Sequence, residues 1–253
     1  MNTLTIDIGN SSVKVDAWDD DGVLGRYLEG DVTIDQIIKL AEVLDIKGII
    51  ISSVRKDSSE FIDSLRARFQ DTIVVFDNPE IRKHYSLNNY EGEVGPDRFA
   101  AFLGAKVFFG NKPMMIVDIG TAITIDIADK GEFYGGNISL GIQGRLKALS
   151  ESTGKLPLIN KLESVTGFGH DTASAIMNGV KNGVRGEVYY SARLAKQKYD
   201  IKVVMVTGGG CREIYPVVPQ DLMDIEDKYL VGRGLDYHLR TQHMHLPVGQ
   251  PRL

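Results

Sequence analysis

The chain has 253 residues, a hydrophobic fraction of 43% and a charged fraction of 25%, which is enough apolar material for one large or two modest cores in a soluble protein. A formal net charge of −5 offers no basic footprint and argues against a nucleic-acid partner. The single cysteine, Cys211, excludes an internal disulfide framework and fits a reducing, cytoplasmic setting, where it reads as a small buried hydrophobe.

The N-terminus MNTLTIDIGN has neither a basic n-region nor a long apolar h-region, so no signal peptide is expected. No apolar run approaches the roughly 20 residues of a spanning helix, so no membrane partner is expected. Thr3 to Ile8 alternates as a strand and ends in Asp7-Ile8-Gly9. The cluster Gly9-Asn10-Ser11-Ser12 is a turn, and Val13 to Trp18 returns as a second strand, making a hairpin with a polar tip. Val23 to Leu28 can add a third strand. Ile34, Ile37, Ile38, Ala41 and Leu44 share one helical face. Gly48–Ser52 and Thr72–Phe76 read as buried strands on either side of an amphipathic helix over Ser58–Phe69. A helix over Asp97–Phe108 follows Gly95-Pro96.

After Pro113 the pattern restarts. Met114 to Asp118 is a strand, Gly120-Thr121-Ala122 a turn, and Ile123–Ala128 and Phe133–Ile138 further strands. LTIDIGNSSVKVDAW and MIVDIGTAITIDIAD share an apolar strand, an Asp-Ile-Gly turn and a second strand, spaced by nearly half the chain. This reads as an internal duplication with lobes at 1–112 and 113–253. Helices follow near Gln143–Glu151, over Thr172–Gln197 with interruptions at Gly179, Gly183 and Gly186, and over Arg233–Arg240. Between the last two, the strand Val203–Val206 opens into Gly208-Gly209-Gly210. Thr241–Leu253 lacks periodicity and reads as a loose tail, in which His243 and His245 form only a weak metal-binding pair. Strands leading helices in each half predict an α/β fold of two similar lobes, with a ligand cleft between them.

Glycine at a strand end bares backbone N–H groups to a phosphate, and Ser11, Ser12, Thr121 and Thr124 add hydroxyl donors, with Lys14 a positive charge. Asp7 and Asp118 repel phosphate unless a cation intervenes, so both are candidate metal ligands; alternatively each aspartate only stabilises its own turn. In Gly95-Pro96-Asp97-Arg98, Arg98 is suited to grip a carboxylate and Asp97 to accept a hydroxyl proton. The alternative is a helix-capping Asp97 beside an exposed arginine.

Together these segments resemble the type III pantothenate kinase family, a branch of the acetate/sugar kinase, Hsp70 and actin superfamily. The resemblance runs through nearly the whole chain: DIGNSSVK (Asp7–Lys14), GPDR (Gly95–Arg98), DIGTAIT (Asp118–Thr124), GGNISLG (Gly135–Gly141), GHDT (Gly169–Thr172) and TGGG (Thr207–Gly210). It implies actin- and ribonuclease H-like lobes and ATP-dependent phosphorylation of pantothenate to 4'-phosphopantothenate, the first step toward coenzyme A. It assigns Asp97 as the catalytic base. Tyr90, Gly95, Pro96, Asp97, Arg98 and Thr172 would bind substrate. Asp7, Ile8, Gly9, Asn10, Ser11, Ser12, Val13, Lys14 and Thr121 would contact ATP. Mg²⁺ would lie near Asp7, and K⁺ or NH₄⁺ at Asp118. It also implies a homodimer with the pantothenate pocket at the subunit interface. Two departures stand out: Leu140 replaces a usual proline, and the stretch after Tyr90 is short, which leaves Tyr85 as an alternative for the pocket. Gly141 and Gly144 are candidate hinge points. Competing readings are a superfamily kinase for another hydroxy acid or sugar, a noncatalytic regulatory homologue, and an ATP-binding partner subunit.

Overall fold

In the computed structural model, which describes residues 1–162, 167–214, 218–246 and 248, the chain forms two five-stranded sheets. The first is built from β1 (Thr3–Ile8), β2 (Val13–Asp19), β3 (Gly22–Gly30), β4 (Gly48–Ser53) and β5 (Ile73–Val75), with helices α1 (Ile34–Val43), α2 (Ser59–Phe69), α3 (Asn78–His84) and α4 (Pro96–Phe109). The second uses β6 (Met114–Ile119), β7 (Ala122–Asp129), β8 (Glu132–Leu140), β9 (Val203–Thr207) and β10 (Met223–Glu226). Its helices are α5 (Ile142–Ser152), α6 (Thr172–Tyr199) and the short α7 (Cys211–Ile214). The chain then enters α8 (Leu230–His238), which continues as a π-helix over Leu239–Met244.

The sheets have one topology. Strand order is β3-β2-β1-β4-β5 in the first and, read in the same direction, β8-β7-β6-β9-β10 in the second. In each, the lead strand pairs antiparallel with its hairpin partner and parallel with the strand that follows the first helical excursion. The Asp-Ile-Gly turns occupy the same place in both: Asp7 faces Lys14 and Ser52, and Asp118 faces Thr124 and Thr207. The expected duplication therefore extends to register. The fold class is α/β with two similar halves.

Local chemistry explains most boundaries. Thr33 caps α1 in a capping box with Gln36, and Asp171 caps α6 in another with Ser174. The glycines in α6 do not interrupt it. Ile176, Val180, Val184, Val188, Ala192 and Ala195 form a continuous buried stripe, and burying it outweighs the roughly 1 kcal/mol that each glycine costs. Helix α3 has one buried apolar residue, Ile81, so periodicity gives no sign of it. Its start is set by Asp77, whose carboxylate accepts the Glu80 N–H at 3.0 Å, with Pro79 in the first turn.

By contact, the chain divides into two compact units. One takes residues up to Asn111, Gly131–Phe133 and the chain from Tyr229 on; the other takes Lys112–Lys130 and the chain from Tyr134 to Lys228. This differs from a simple split at 112/113, because α8 packs on α4 and on β1. Two glycines allow the helix crossing: a Cβ on Gly234 would lie 1.8 Å from the Ala100 carbonyl oxygen, and one on Gly104 2.1 Å from that of Leu230. Further along, the fully buried Arg240 donates from Nε to both carboxylate oxygens of Asp236, at 3.0 and 2.9 Å, and from Nη1 to Asp20 at 2.8 Å. Asp236 also accepts from the Thr3 hydroxyl. At the start of the expected tail the helix runs to Met244, and His243 reaches Glu80; residues 247 and 249–253 of that stretch lie outside the described residues. Among the described residues, no helix is long and apolar enough to cross a membrane.

Candidate active site

The first turn begins where β1 ends. The Gly9 N–H donates to the Ser12 carbonyl at 3.0 Å, which closes the loop and leaves Asn10 and Ser11 exposed at its tip. Asp7 lies one strand position inside, opposite Lys14, and accepts from the Ser52 hydroxyl at 3.3 Å. Burial pushes its carboxyl up to about 6; Lys14 and Ser52 pull the other way, while the negative charge of Asp97 adds to the rise. The segment after β4 wraps the turn. Arg55 donates from Nε to the Gly9 carbonyl at 2.6 Å, and the Val54 N–H to that of Ile8 at 3.1 Å. Asn10, Ser11, Arg55 and Lys56 line a groove of about 620 Å³ there.

Asp97 belongs to the same unit. Helix α4 is capped by the Gly95 backbone, with Pro96 in its first turn, so Asp97 is not the cap. Its carboxylate accepts the Arg98 N–H at 2.8 Å, and a Cβ on Gly95 would come within 2.7 Å of Asp97 Oδ1. Glycine at 95 thus makes room for the carboxylate. Burial raises the Asp97 carboxyl, opposed by the Arg98 backbone donor and by the positive charges of Arg98 and Lys14. Lys14 therefore acts on both Asp7 and Asp97. Arg98 is 7% exposed, not an open surface arginine. It donates to the Tyr90 hydroxyl at 3.2 Å, and its guanidinium lies over the rings of Tyr90 and Phe133 at 5.7 and 5.8 Å. Tyr85 is engaged elsewhere, with its hydroxyl 3.0 Å from His238 Nδ1.

In the second unit, the turn after β6 is one step tighter, with the Gly120 N–H donating to the Ala122 carbonyl at 3.0 Å. The glycine run after β9 is built onto this turn. Gly208 has φ +97°, and a Cβ there would lie 2.4 Å from Asp118 Oδ1; the Gly210 N–H donates to the Ile119 carbonyl at 2.9 Å. Gly141 donates to the Thr121 carbonyl at 2.9 Å, and the Leu140 side chain covers Gly144. These contacts fix the loop that Leu140 enters without a prolyl ring. Thr172 is exposed in the first turn of α6 and borders a largely apolar groove with Leu140, Arg145, Ile176 and Val180.

Residues 3–193 match the family model of type III pantothenate kinase. The chain belongs to the type III pantothenate kinase family. Type III pantothenate kinases from Bacteroides fragilis (strain YCH46) and Thermosipho africanus are 31% and 28% identical to it, each over 92% of this chain and 95% and 96% of their own. Among solved structures, a Campylobacter jejuni protein described as a Baf-family transcriptional activator has a TM-score of 0.58 at 25% identity, covering 94% of this chain and 98% of its own. Lmo2764 from Listeria monocytogenes, named for an N-acetylmannosamine kinase activity, has a TM-score of 0.55 at 16% identity, covering 96% and 99%. That second likeness speaks to the fold alone.

As a pantothenate kinase family member, the chain brings Asp7, Lys14, Tyr90, Asp97 and Arg98 together in its first unit, while Asp118, Thr121, Thr172 and Thr207–Gly210 belong to the second. The family match ends before Thr207, so the glycine run's association with Asp118 rests on geometry. Sequence reasoning missed Ser52, Arg55 and Lys56. The available signal was a polar, basic segment leaving a wholly apolar strand, SSVRK after GIII.

Proposed function

We propose that this chain carries out its family's reaction, ATP-dependent phosphorylation of pantothenate, with Asp97 as the base and Arg98 as the carboxylate clamp. The observation that carries the assignment is the place of Asp97 in the first turn of α4, where Gly95 makes room for its carboxylate beside the buried Arg98. The primary hydroxyl of pantothenate gives its proton to the Asp97 carboxylate as its oxygen bonds the γ-phosphorus, and the bond to the leaving ADP breaks. A base raised by burial is better matched to that proton than an ordinary aspartate. Arg98, oriented by Tyr90, holds the pantothenate carboxylate and fixes the hydroxyl's approach. The Gly9 turn, Ser11, Lys14, Arg55 and Lys56 offer donors and positive charge to the phosphates.

A half-buried carboxyl whose proton affinity is raised further by a second negative charge, that of Asp97, is suited to a divalent cation, so Asp7 is the residue that would hold Mg²⁺. Bound there, the ion supplies charge neutralisation to the transferring phosphoryl group. Asp118, with Thr124 and Thr207 as cross-strand neighbours, offers oxygen ligands suited to a hard monovalent cation, K⁺ or NH₄⁺. For Thr172 a role in binding substrate, and for the chain a cytoplasmic homodimer, are supported by the family resemblance; Thr172 borders an apolar groove of its own unit.

The test is pantothenate-dependent ADP release by purified protein, with and without K⁺, alongside light scattering for mass. Turnover that needs pantothenate and responds to K⁺ supports the reading. No turnover on pantothenate, despite retained ATP binding, favours the regulatory alternative.

A further inference from the structure

Outside the kinase site, the first unit gathers three of the chain's five histidines around one carboxylate. Glu80 and His84 lie one turn apart on α3. His238 ends α8, and His243 follows five positions later on the π-helix. In a π-helix the hydrogen bonds run from i to i+5, so residues five apart sit one above the other, and the local change of helix type puts both rings on one face. The result is a convergent set. His84, His238 and His243 each place Nε2 near Glu80 Oε1, at 3.1, 3.0 and 2.6 Å, and the four ligand atoms lie within 4.8 Å of one another. The cluster is largely shielded from water, with side-chain exposures of 0% for His238, 14% for Glu80, 17% for His84 and 26% for His243.

The outer contacts fix which nitrogen of His84 faces inward. The Thr241 hydroxyl donates to the Tyr237 carbonyl at 2.7 Å and accepts from Gln242 Nε2 at 3.2 Å, which turns the Gln242 carbonyl oxygen toward His84 Nδ1, 3.1 Å away. A carbonyl oxygen only accepts, so Nδ1 carries the hydrogen, and in the neutral ring Nε2 presents a lone pair to the centre of the cluster. Buried and without an aligned hydrogen bond, that atom lies beside a carboxylate oxygen, which also offers only lone pairs. His238 has a similar outer partner in the Tyr85 hydroxyl, at 3.0 Å from Nδ1. Facing lone pairs are reconciled by a cation, and imidazoles whose far nitrogens are anchored by hydrogen bonds are the usual form of histidine ligands.

We infer that Glu80, His84, His238 and His243 form a binding site for a zinc-class divalent transition-metal ion, separate from the kinase machinery, that ties the C-terminal helix to α3. Three imidazole nitrogens and one carboxylate oxygen match the donor types and the fourfold coordination of Zn²⁺. Imidazole-rich donors disfavour Mg²⁺ and Ca²⁺, which take oxygen. The ion is a structural pin: one pair of ligands comes from α3, and the other from the last described helix of the chain.

The experiment uses untagged full-length protein. Zn²⁺ content is measured after exposure to metal and desalting, and Co²⁺ is titrated with its visible ligand-field absorption as the readout. One ion per chain, a tetrahedral Co²⁺ spectrum and a metal-dependent rise in Tm are expected. His243→Ala, the most exposed position of the set, loses binding; Gln242→Leu, which keeps all four ligands, weakens it by roughly 10–100-fold. His170→Ala/His245→Ala, which removes the two remaining histidines, leaves it intact. Absence of stoichiometric Zn²⁺ or Co²⁺ binding in the wild type overturns the inference, as does binding that His243→Ala leaves unchanged or that the His170/His245 variant abolishes.

Discussion

Lys14 stands directly across the first hairpin from Asp7, one strand step from the Gly9 turn, and its positive charge reaches Asp97 as well. One cation thus holds down two half-buried carboxyls. Replacing it by methionine keeps the stem and removes the charge. Both carboxyls then rise further, so the acid limb of kcat/KM moves to higher pH, and the rate at pH 7 falls by about 10²-fold, the typical effect of losing one preorganised group. A pH–rate profile of Lys14→Met with its acid limb unmoved would break the link between these three residues.

Asp97→Asn keeps the shape of the site and removes the proton acceptor. The expected loss in kcat is about 10²–10⁴-fold, with ATP affinity preserved. Single-turnover kinetics with a separate nucleotide-binding measurement distinguishes this from a positioning defect, which would alter both.

Asp7→Asn makes an opposite pair of predictions for stability and activity. The Asp7 carboxyl is at about 6 in the folded chain against 3.8 for the free group, so between those values the folded state holds a proton that the unfolded state has released. Stability of the wild type therefore falls as pH rises from about 4 to about 6 and is flat above. The asparagine variant lacks this slope, and at pH 7 the metal-free protein is more stable by about 1–3 kcal/mol, while Mg²⁺-dependent turnover is lost. Urea unfolding at pH 4 and pH 7, with and without the substitution, measures the difference.

Much of the fold is legible in the sequence. The hairpin around each Asp-Ile-Gly turn, the duplication and the strand-to-glycine run at Val203–Gly210 follow from alternation and turn chemistry, which are local. What stays hidden is tertiary. Helix α3 hides because a single buried residue, Ile81, gives no period; only its Asp-Asn-Pro-Glu start marks it. Arg55 and Lys56 come beside the Gly9 turn through a parallel strand pairing that no local pattern encodes. His243 reads as part of a tail because its partner, Glu80, lies far back in the chain.

Arg98→Ala removes a buried cation that sits over two aromatic rings and donates to Tyr90. The KM for pantothenate rises by about 10–100-fold, the worth of a charge-assisted hydrogen bond, with a smaller change in kcat. Arg98→Lys does not restore it, because a point charge cannot reproduce the planar fork. Steady-state kinetics with pantothenate as the varied substrate is the measurement.

Gly234→Ala tests the helix crossing, independent of chemistry. Its new methyl group would collide with the Ala100 carbonyl, so the helices must separate, at a cost of about 3 kcal/mol. Thermal unfolding of the variant reports it.

The return of α8 to α4 has a consequence for biogenesis. The first sheet leaves the ribosome before the second, yet the helix that covers α4 and supplies Arg240 to the Thr3–Asp236 contact is made only after it. An entire second sheet with its helices must be translated in the interval. Domains ordinarily complete themselves in the order of synthesis; here the earlier-made unit stays unfinished until the later-made one has emerged. Throughout that interval the bare backbone around Gly104, shaped to receive another helix, stays uncovered.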